Sequence, residues 1–236
     1  MNKLYSLIKN HKYPLLIALL PLIFFSSIFF SQTTSFPFRD VISIFSQEKI
    51  LFKDSIKNFN DLPLWNPYVF SGSPFLANPT SAMFYPFNLL FLLFSVDLAF
   101  NLIFVLDIIL LGIFTYLFCK NVKLNSFSSF ISAITIMFSG HIVSIVFPGH
   151  MVNLDTFIWF PLILLFLEKT IEKKKVIYGV YAAIPIGLIL LAGASQIAVF
   201  CLLSALIYFT LRIFLNLPKL NKLSHLKHLF FIFFLS

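Results

Sequence analysis

Long apolar runs alternate with short polar and basic segments along this chain of 236 residues. A helix of about 20 predominantly apolar residues crosses the ~30 Å hydrocarbon core of a bilayer. The pattern therefore predicts an all-α polytopic membrane protein with about six transmembrane helices. We expect these helices at residues 14–31, 99–118, 127–147, 151–169, 176–191 and 197–214. A last apolar run, 229–236, is too short to cross, so either the chain is a fragment or its end lies at the membrane interface.

The first two predicted spans are separated by a long loop, residues 32–98. Within it, residues 41–59 place apolar side chains at roughly helical spacing with charged residues between them. This spacing predicts one or two amphipathic helices that lie along the outer surface of the membrane. Residues 89–94 are expected to form a short interfacial segment before the second span.

Residues 62–88 of this loop contain five of the twelve prolines of the chain. Because proline breaks helices and is excluded from interior strands, no regular element can run through this stretch. Its many aromatic residues distinguish it from a disordered linker, and its unpaired backbone excludes a membrane span. We expect an ordered, irregular loop at the interface, where Trp and Tyr are favoured. On composition alone, the loop is either a plug that seals the helix ends or part of a functional site.

Composition and charge agree with this membrane assignment. Hydrophobic residues make up 59% of the chain and charged residues 11%, which leaves too little polar surface to cover a soluble globule. The net charge of +8 does not indicate a nucleic-acid binder, because the basic residues fall in short clusters between apolar runs. In the predicted topology thirteen Lys and Arg lie at the cytoplasmic side and four outside, which places the amino terminus in the cytoplasm. The first apolar run has no small-residue cleavage site and is expected to remain as an anchor.

The segment PLWNPYVFSGSPFLANPTSAMFYPFNLLF, residues 63–91, resembles the signature of the YfhO-type bacterial membrane proteins, which belong to the GT-C class of polytopic glycosyltransferases. Three later segments are similar to family patterns in the same order: MFSG at 137–140, His150 through WFPL to Glu168, and LAGASQIA at 191–198. In the last of these, Ser195 stands where the family usually has Pro. The resemblance covers roughly residues 39–212. Because YfhO-type proteins are considerably longer, it implies that the chain is the amino-terminal part of a GT-C-like transmembrane domain.

The resemblance implies a catalytic carboxylate in the first outer loop, shortly after the first span, where Asp40 stands. Asp40 would be the general base that takes the proton from an acceptor hydroxyl as it attacks the anomeric carbon of the sugar. The alternative is that Asp40 caps the surface helix that begins at the next residue, and the two roles are compatible. Arg39 would bind the phosphate of the donor or lie among lipid headgroups.

Two further candidates, His150 and Asp155, are expected on the second outer turn, at the same membrane face as Asp40. They would bind the donor phosphate through a divalent cation or orient the acceptor. The alternatives are a helix cap for Asp155 and an exposed loop position for His150. One His and two separated carboxylates are a weak metal signal, so no metal site is assigned. Asp107 lies near the middle of the second span, where it either lines a cavity or is hydrogen-bonded to a neighbouring helix, with His141 as a candidate partner.

A polar and aromatic set is expected around the sugar, because aromatic rings stack on sugars and Asn offers donors and acceptors to hydroxyl groups. Its members are Trp65, Asn66, Tyr68, Asn78 and Tyr85. The alternative for the two Asn residues, each of which precedes Pro, is a role in turn geometry. Gln196, in the break between the last two spans, would contact substrate or cap a helix.

These expectations describe a glycosyltransferase of the bacterial cytoplasmic membrane. It would transfer a sugar from a polyprenyl-phosphate donor to an extracytoplasmic acceptor, such as a cell-wall polymer, a glycolipid or a protein. Two other functions stay open, a transporter or flippase of lipid-linked sugars and a non-catalytic membrane scaffold. A transporter would favour charged or broken helices in matching halves of the chain, and the sequence has no obvious repeat.

Overall fold

The computed structural model describes residues 2–26 and 40–216, and most of this part of the chain is helical. The predictions for Arg39 and for the apolar run at 229–236 concern residues outside it. The helices are α1 (Asn2–Phe24), α2 (Ser46–Phe59), α3 (Leu89–Leu93), α4 (Val96–Asn121), α5 (Ser126–Met137), α6 (Gly140–Val146), α7 (Met151–Phe157), α8 (Phe160–Lys173), α9 (Ile177–Leu191) and α10 (Ser195–Asn216). A single π-helical turn, Val41–Phe45, leads into α2.

Four helical segments of the described residues are long and apolar enough to cross a membrane. They are Val96–Asn121, Ser126–Val146, Met151–Lys173 and Ser195–Leu215, and two shorter apolar helices cover Lys12–Phe24 and Ile177–Leu191. The chain is therefore an all-α protein suited to a membrane. From the second onward, each span predicted from hydropathy coincides with one of these segments to within a few residues; the first ends at Phe24 in the described part.

Two of the long segments are broken into consecutive helices, which the hydropathy pattern does not reveal. Between α5 and α6 the helix ends at Phe138, and the hydroxyl of Ser139 accepts a hydrogen bond from the backbone N–H of Ile142. Between α7 and α8 the chain turns at Ile158 and Trp159, and Pro161 follows in the first turn of α8, where a missing N–H is tolerated. The break at Ser139 includes a few polar residues and the break at Trp159 none, and both lie in segments whose average over 18 residues stays apolar.

The helix α4 lies at the centre of the bundle. It packs against α1, α5, α7 and α8, and also against the loop helices α2 and α3. Its buried side chains form one continuous core with those of the neighbouring helices. We call the end of the bundle that carries residues 40–95 the loop end. The turns after Val146 and Leu191 lie at this same end, because Pro148 accepts a hydrogen bond from Asp40 and Gly193 lies against Pro79 of the loop.

Residues 62–88 form an ordered, irregular loop, as predicted, and the helix α2 lies within the predicted amphipathic stretch 41–59. The strands β1 (Trp65–Asn66) and β2 (Ser73–Pro74) pair antiparallel, and two short 3₁₀ turns follow at Pro79–Ser81 and Pro86–Asn88. Buried apolar side chains fasten the loop to the core of the bundle, and these are Val41, Phe45, Ala82, Tyr85 and Phe91. The loop is therefore an integral part of the packed structure.

Candidate functional site

The structure brings together two of the residues singled out from the sequence, Asp40 and His150. His150 Nδ1 lies 3.2 Å from a carboxylate oxygen of Asp40. The backbone N–H of Asp40 donates a hydrogen bond to the carbonyl of Pro148 at 3.1 Å, which fixes the start of the loop against the turn that precedes α7. The side chains are 25% exposed for Asp40 and 41% exposed for His150, so the pair is open to solutes.

Neither residue of this pair caps its helix through its side chain. Asp40 directly precedes the π-helical turn and His150 directly precedes α7, yet no backbone N–H donates to either side chain. The capping alternative for Asp40 is therefore not seen. Its carboxylate is instead directed to the imidazole of His150, an arrangement in which the ring can orient the carboxylate and share a proton with it.

An apolar cavity of about 860 Å³ is formed by α1, α4, α5 and α6, and its wall includes Phe24, Met137, Val146 and Phe147. Asp40 and His150 do not themselves line this cavity. The link between the two is Phe147, which directly precedes Pro148, the residue whose carbonyl accepts the backbone hydrogen bond of Asp40. The wall of the cavity therefore continues in sequence into the turn that holds Asp40.

Asp155 does not lie on the outer turn as the sequence suggested. The helix α7 begins at Met151, with His150 at its N-cap, so Asp155 falls in its second turn and faces the interior, where it is 1% exposed. There it meets Asp107 of α4, which is completely buried. The two carboxyl groups are within hydrogen-bonding reach of each other. His141, considered as a partner of Asp107, is exposed and packs its ring against Phe157 instead.

The third charged member of this buried centre is Lys49 of α2, one of the charged residues between the apolar positions of the predicted amphipathic helices. Its side chain is 1% exposed, and Nζ donates a hydrogen bond to the carbonyl of Ser81 at 2.8 Å. Burial lowers the pKa of Lys49 to about 8, and the charges of Asp155 and Glu48 partly oppose this shift. The sequence does contain a signal for the burial of Lys49. Phe45 and Phe52 lie four residues before it and three residues after it, on the same helical face.

Tyr85 connects the loop to the same centre. Its hydroxyl donates to the backbone carbonyl of Asp155 at 3.2 Å and accepts from the indole N–H of Trp159 at 3.1 Å. The ring is 1% exposed, and burial, together with the nearby Asp155 and Asp107, raises the pKa of Tyr85 well above its usual range. Tyr85 was expected beside the sugar, but in this structure its hydroxyl is occupied by structural hydrogen bonds.

Asn78 and Glu48 form a polar contact at the rim of the buried centre. Asn78 donates from its side-chain amide to Glu48 Oε1 at 2.8 Å and accepts from the backbone N–H of Thr80 at 3.1 Å. Burial raises the pKa of Glu48. The turn role weighed for Asn78 is confirmed by the second of these bonds, and its other bond ties the loop to α2.

The remaining predicted site residues are spread over the surface of the loop end. The side chain of Asn66 is buried, and its oxygen accepts from the backbone N–H of Tyr68 at 3.0 Å, which is also a turn role. Trp65 and Tyr68 are 55% and 82% exposed, so their rings are free to contact a solute or the membrane surface. Gln196 is exposed in the first turn of α10. Their roles as sugar contacts stay predictions.

At the opposite end of the bundle, Glu168 of α8 is held by Arg212 and Tyr208 of α10. Arg212 donates to both carboxylate oxygens, through Nε at 2.9 Å and through a second guanidinium nitrogen, and the Tyr208 hydroxyl donates at 2.7 Å. This clamp fixes the relative position of α8 and α10. It borders a cavity of about 330 Å³ that is also lined by residues 121–123.

Comparison of the chain with family models, with curated proteins and with solved structures found no match. The resemblance to YfhO-type proteins therefore stays a prediction. Among residues 2–26 and 40–216, no three His, Cys, Asp or Glu side chains are grouped so that they could hold a metal ion. A divalent cation at His150 and Asp155 would thus lack a set of protein ligands within this part of the chain.

Proposed function

We propose that the chain is part of a membrane glycosyltransferase that transfers a sugar from a polyprenyl-phosphate donor to an extracytoplasmic acceptor. The acceptor class is a cell-wall polymer, a glycolipid or a protein. The observation that carries this proposal is the solvent-accessible Asp40–His150 pair in a membrane-suited helical bundle. The backbone partner of Asp40, Pro148, directly follows Phe147 in the wall of a large apolar cavity. The resemblance of residues 63–91 to the YfhO-type signature supports the same function.

Asp40 acts as the general base in this mechanism. Its carboxylate takes the proton of the acceptor hydroxyl while the hydroxyl oxygen forms a bond to the anomeric carbon. The bond between this carbon and the phosphate oxygen breaks, and its electron pair leaves with polyprenyl phosphate. His150, 3.2 Å from Asp40, orients the carboxylate and offers a second site for the proton once it has been transferred.

The apolar cavity gives the lipid part of the donor a place next to this base. Its volume of about 860 Å³ and its lining by side chains such as Phe24 and Phe147 suit an isoprenoid chain rather than a polar ligand. With the chain in the cavity, the phosphosugar would emerge near Pro148 and so beside Asp40. Trp65 and Tyr68 are exposed at the loop end, where aromatic rings can stack on the sugar or the acceptor.

The proposed topology follows the hydropathy pattern. The chain would cross the bacterial cytoplasmic membrane six times, within a GT-C-like domain. The amino terminus would lie in the cytoplasm and the loop end on the extracytoplasmic side, because this orientation places most Lys and Arg inside. Asp40 would then face the compartment that contains the acceptor.

The test is sugar transfer by the full-length protein in proteoliposomes, with a radiolabelled polyprenyl-phosphate sugar and an extract of extracytoplasmic acceptors. Asp40→Asn should lower the rate by about 10²- to 10⁴-fold, the usual contribution of a general base. His150→Gln should lower it less, because it removes an orienting group. Asp97→Asn is the matched control, since Asp97 is an exposed carboxylate in the first turn of α4 at the same end of the bundle. Transfer by Asp40→Asn at the rate of the control would exclude Asp40 as the base.

A second candidate function is a transporter or flippase of lipid-linked sugars. The observation that favours it is the buried carboxylate of Asp107 within a membrane-suited helix, a feature common in ion-coupled transporters. The same proteoliposomes distinguish the two functions. A flippase moves the labelled lipid between leaflets without forming a glycosylated product, and its rate does not depend on Asp40. A non-catalytic scaffold does neither.

A further inference from the structure

The interior of the bundle contains a carboxyl pair whose hydrogen bonding is incomplete. Asp107 is completely buried, and neither of its carboxyl oxygens accepts a hydrogen bond from any described group. Asp155 is 1% exposed, and its Oδ1 also lacks a donor. Buried polar atoms in folded proteins are almost always satisfied. A partner that the donors of residues 2–26 and 40–216 do not supply is therefore required at this position.

The two side chains supply the geometry for such a partner. They come from different helices, α4 and α7, and approach within hydrogen-bonding reach of each other. Two ionised carboxylates at this separation and shielded from water repel each other strongly, and neither can donate. One proton placed between them removes one charge and creates the missing donor.

The ammonium group of Lys49 can compensate the charge of one of the two carboxylates, Asp107 or Asp155. It enters from α2, is buried to 99%, and its charge acts on Asp155 rather than on Asp107. One carboxylate facing this ammonium group leaves the centre neutral, whereas two carboxylates leave an uncompensated negative charge in the interior. Lys49 also hydrogen-bonds the carbonyl of Ser81 and lies 5.5 Å from the centre of the Phe91 ring.

We propose that Asp107 and Asp155 form a proton-binding site that holds one exchangeable proton between two carboxyl groups, with Lys49 as the compensating cation. The proton resides on Asp107, which donates to Asp155, and Asp155 stays ionised opposite Lys49. This site is separate from the Asp40–His150 pair and does not rest on the glycosyltransferase proposal.

The other titratable groups near the site do not remove the need for this proton. Glu48, next to Lys49, is directed to Asn78 at the rim. The Tyr85 hydroxyl donates to the backbone carbonyl of Asp155, not to its carboxyl group. Three further helices pack against α7. His141 of α6 is exposed. Tyr178 and Tyr181 of α9 contact each other, Tyr181 also contacts α8, and Tyr208 of α10 donates to Glu168 of α8.

The test is infrared spectroscopy of the purified full-length protein in lipid nanodiscs at neutral pH. The unmodified protein should show the carbonyl stretch of a protonated carboxylic acid, shifted on exchange into heavy water. Asp107→Asn should remove this band and still fold, because the Asn amide donates to Asp155 in place of the proton. Lys49→Met should double the band, since an interior without the cation favours protonation of both carboxyl groups. Glu48→Gln identifies any contribution from Glu48, and Asp97→Asn is the exposed control.

Several infrared results would overturn the proposed proton-binding site. Absence of a protonated carboxyl band from the unmodified protein would overturn the proposal without reference to any variant. A band that persists in both Asp107→Asn and Asp155→Asn, or one lost in Glu48→Gln alone, would also overturn it. The glycosyltransferase proposal is unaffected by these results, because it is measured by sugar transfer and depends on Asp40.

Discussion

Gly193 is the position where a single added methyl group should separate the loop from the helices. It lies in the turn between α9 and α10 with φ +98°, in the left-handed region that favours glycine. A Cβ atom built there would lie 2.4 Å from the carbonyl oxygen of Pro79, in the 3₁₀ turn of the loop. The oxygen of Pro79 belongs to the backbone, and so does the Cα atom that carries the added methyl group. Neither can move aside by a side-chain rotation.

Two costs follow for Gly193→Ala. The positive φ costs about 1 to 2 kcal/mol for a residue with a Cβ atom. Separating the turn from Pro79 by roughly an ångström adds the cost of overpacking, about 1 to 3 kcal/mol. The free energy of unfolding should therefore fall by about 2 to 5 kcal/mol, the sum of these two ranges.

The assay for this prediction is unfolding by SDS in mixed micelles, followed by circular dichroism. Gly187→Ala in α9 is the matched control, because a Cβ atom at Gly187 meets nothing within 4 Å. Alanine is also favoured over glycine inside a helix by about 1 kcal/mol, so the control should unfold at the same SDS fraction or slightly later. Equal midpoints for the two variants would refute the close packing of the loop on this turn.

Three further predictions concern the hydrogen bonds and charges described above. Tyr85→Phe leaves the buried indole N–H of Trp159 without an acceptor and should cost about 1 to 3 kcal/mol, with a shift in tryptophan emission measured in a Trp65→Phe background. Arg212→Lys cannot bond both oxygens of Glu168 and should lower stability by about 1 to 2 kcal/mol in the same unfolding assay, since the arginine is partly exposed. Folding lowers the pKa of Lys49 from 10.5 to about 8. Between these two pH values the unfolded chain therefore binds more protons than the folded chain. Stability should thus rise over this pH range, on the order of 1 kcal/mol per unit, and Lys49→Met should lack the rise in unfolding titrations.

The positions of the long apolar helices could be predicted from the sequence. Hydropathy located the helices because it averages over many residues, and the basic clusters marked their ends. It could not locate the breaks at Phe138 and at Trp159, because an average over many residues changes little when a break spans only two or three of them. Local signals existed, however. Ser139 is a capping residue, and Pro161 marks the first turn of a new helix.

The candidate site was predicted only in part, for a geometric reason. Asp40 and His150 were expected at one face, and the structure places them 3.2 Å apart. Asp155 was assigned to the same face because it is close to His150 in sequence, but helix formation from Met151 turns it inward. The burial of Lys49 was not predicted, and lysine is rarely buried without a partner. Its partners come from residues far away in sequence, which no local pattern contains.

The short helix α7 joins the two acidic centres of the molecule. His150, directly before α7, faces Asp40 in the accessible pair, and Asp155 on its second turn faces Asp107 in the interior. Positions five residues apart in a helix point about 140° away from each other and differ by roughly 7 Å along the axis, which accounts for one accessible and one buried side chain. The residue at which α7 begins, Met151, therefore decides which of the two side chains is accessible and which is buried, since His150 stays outside the helix at its N-cap and Asp155 falls within it.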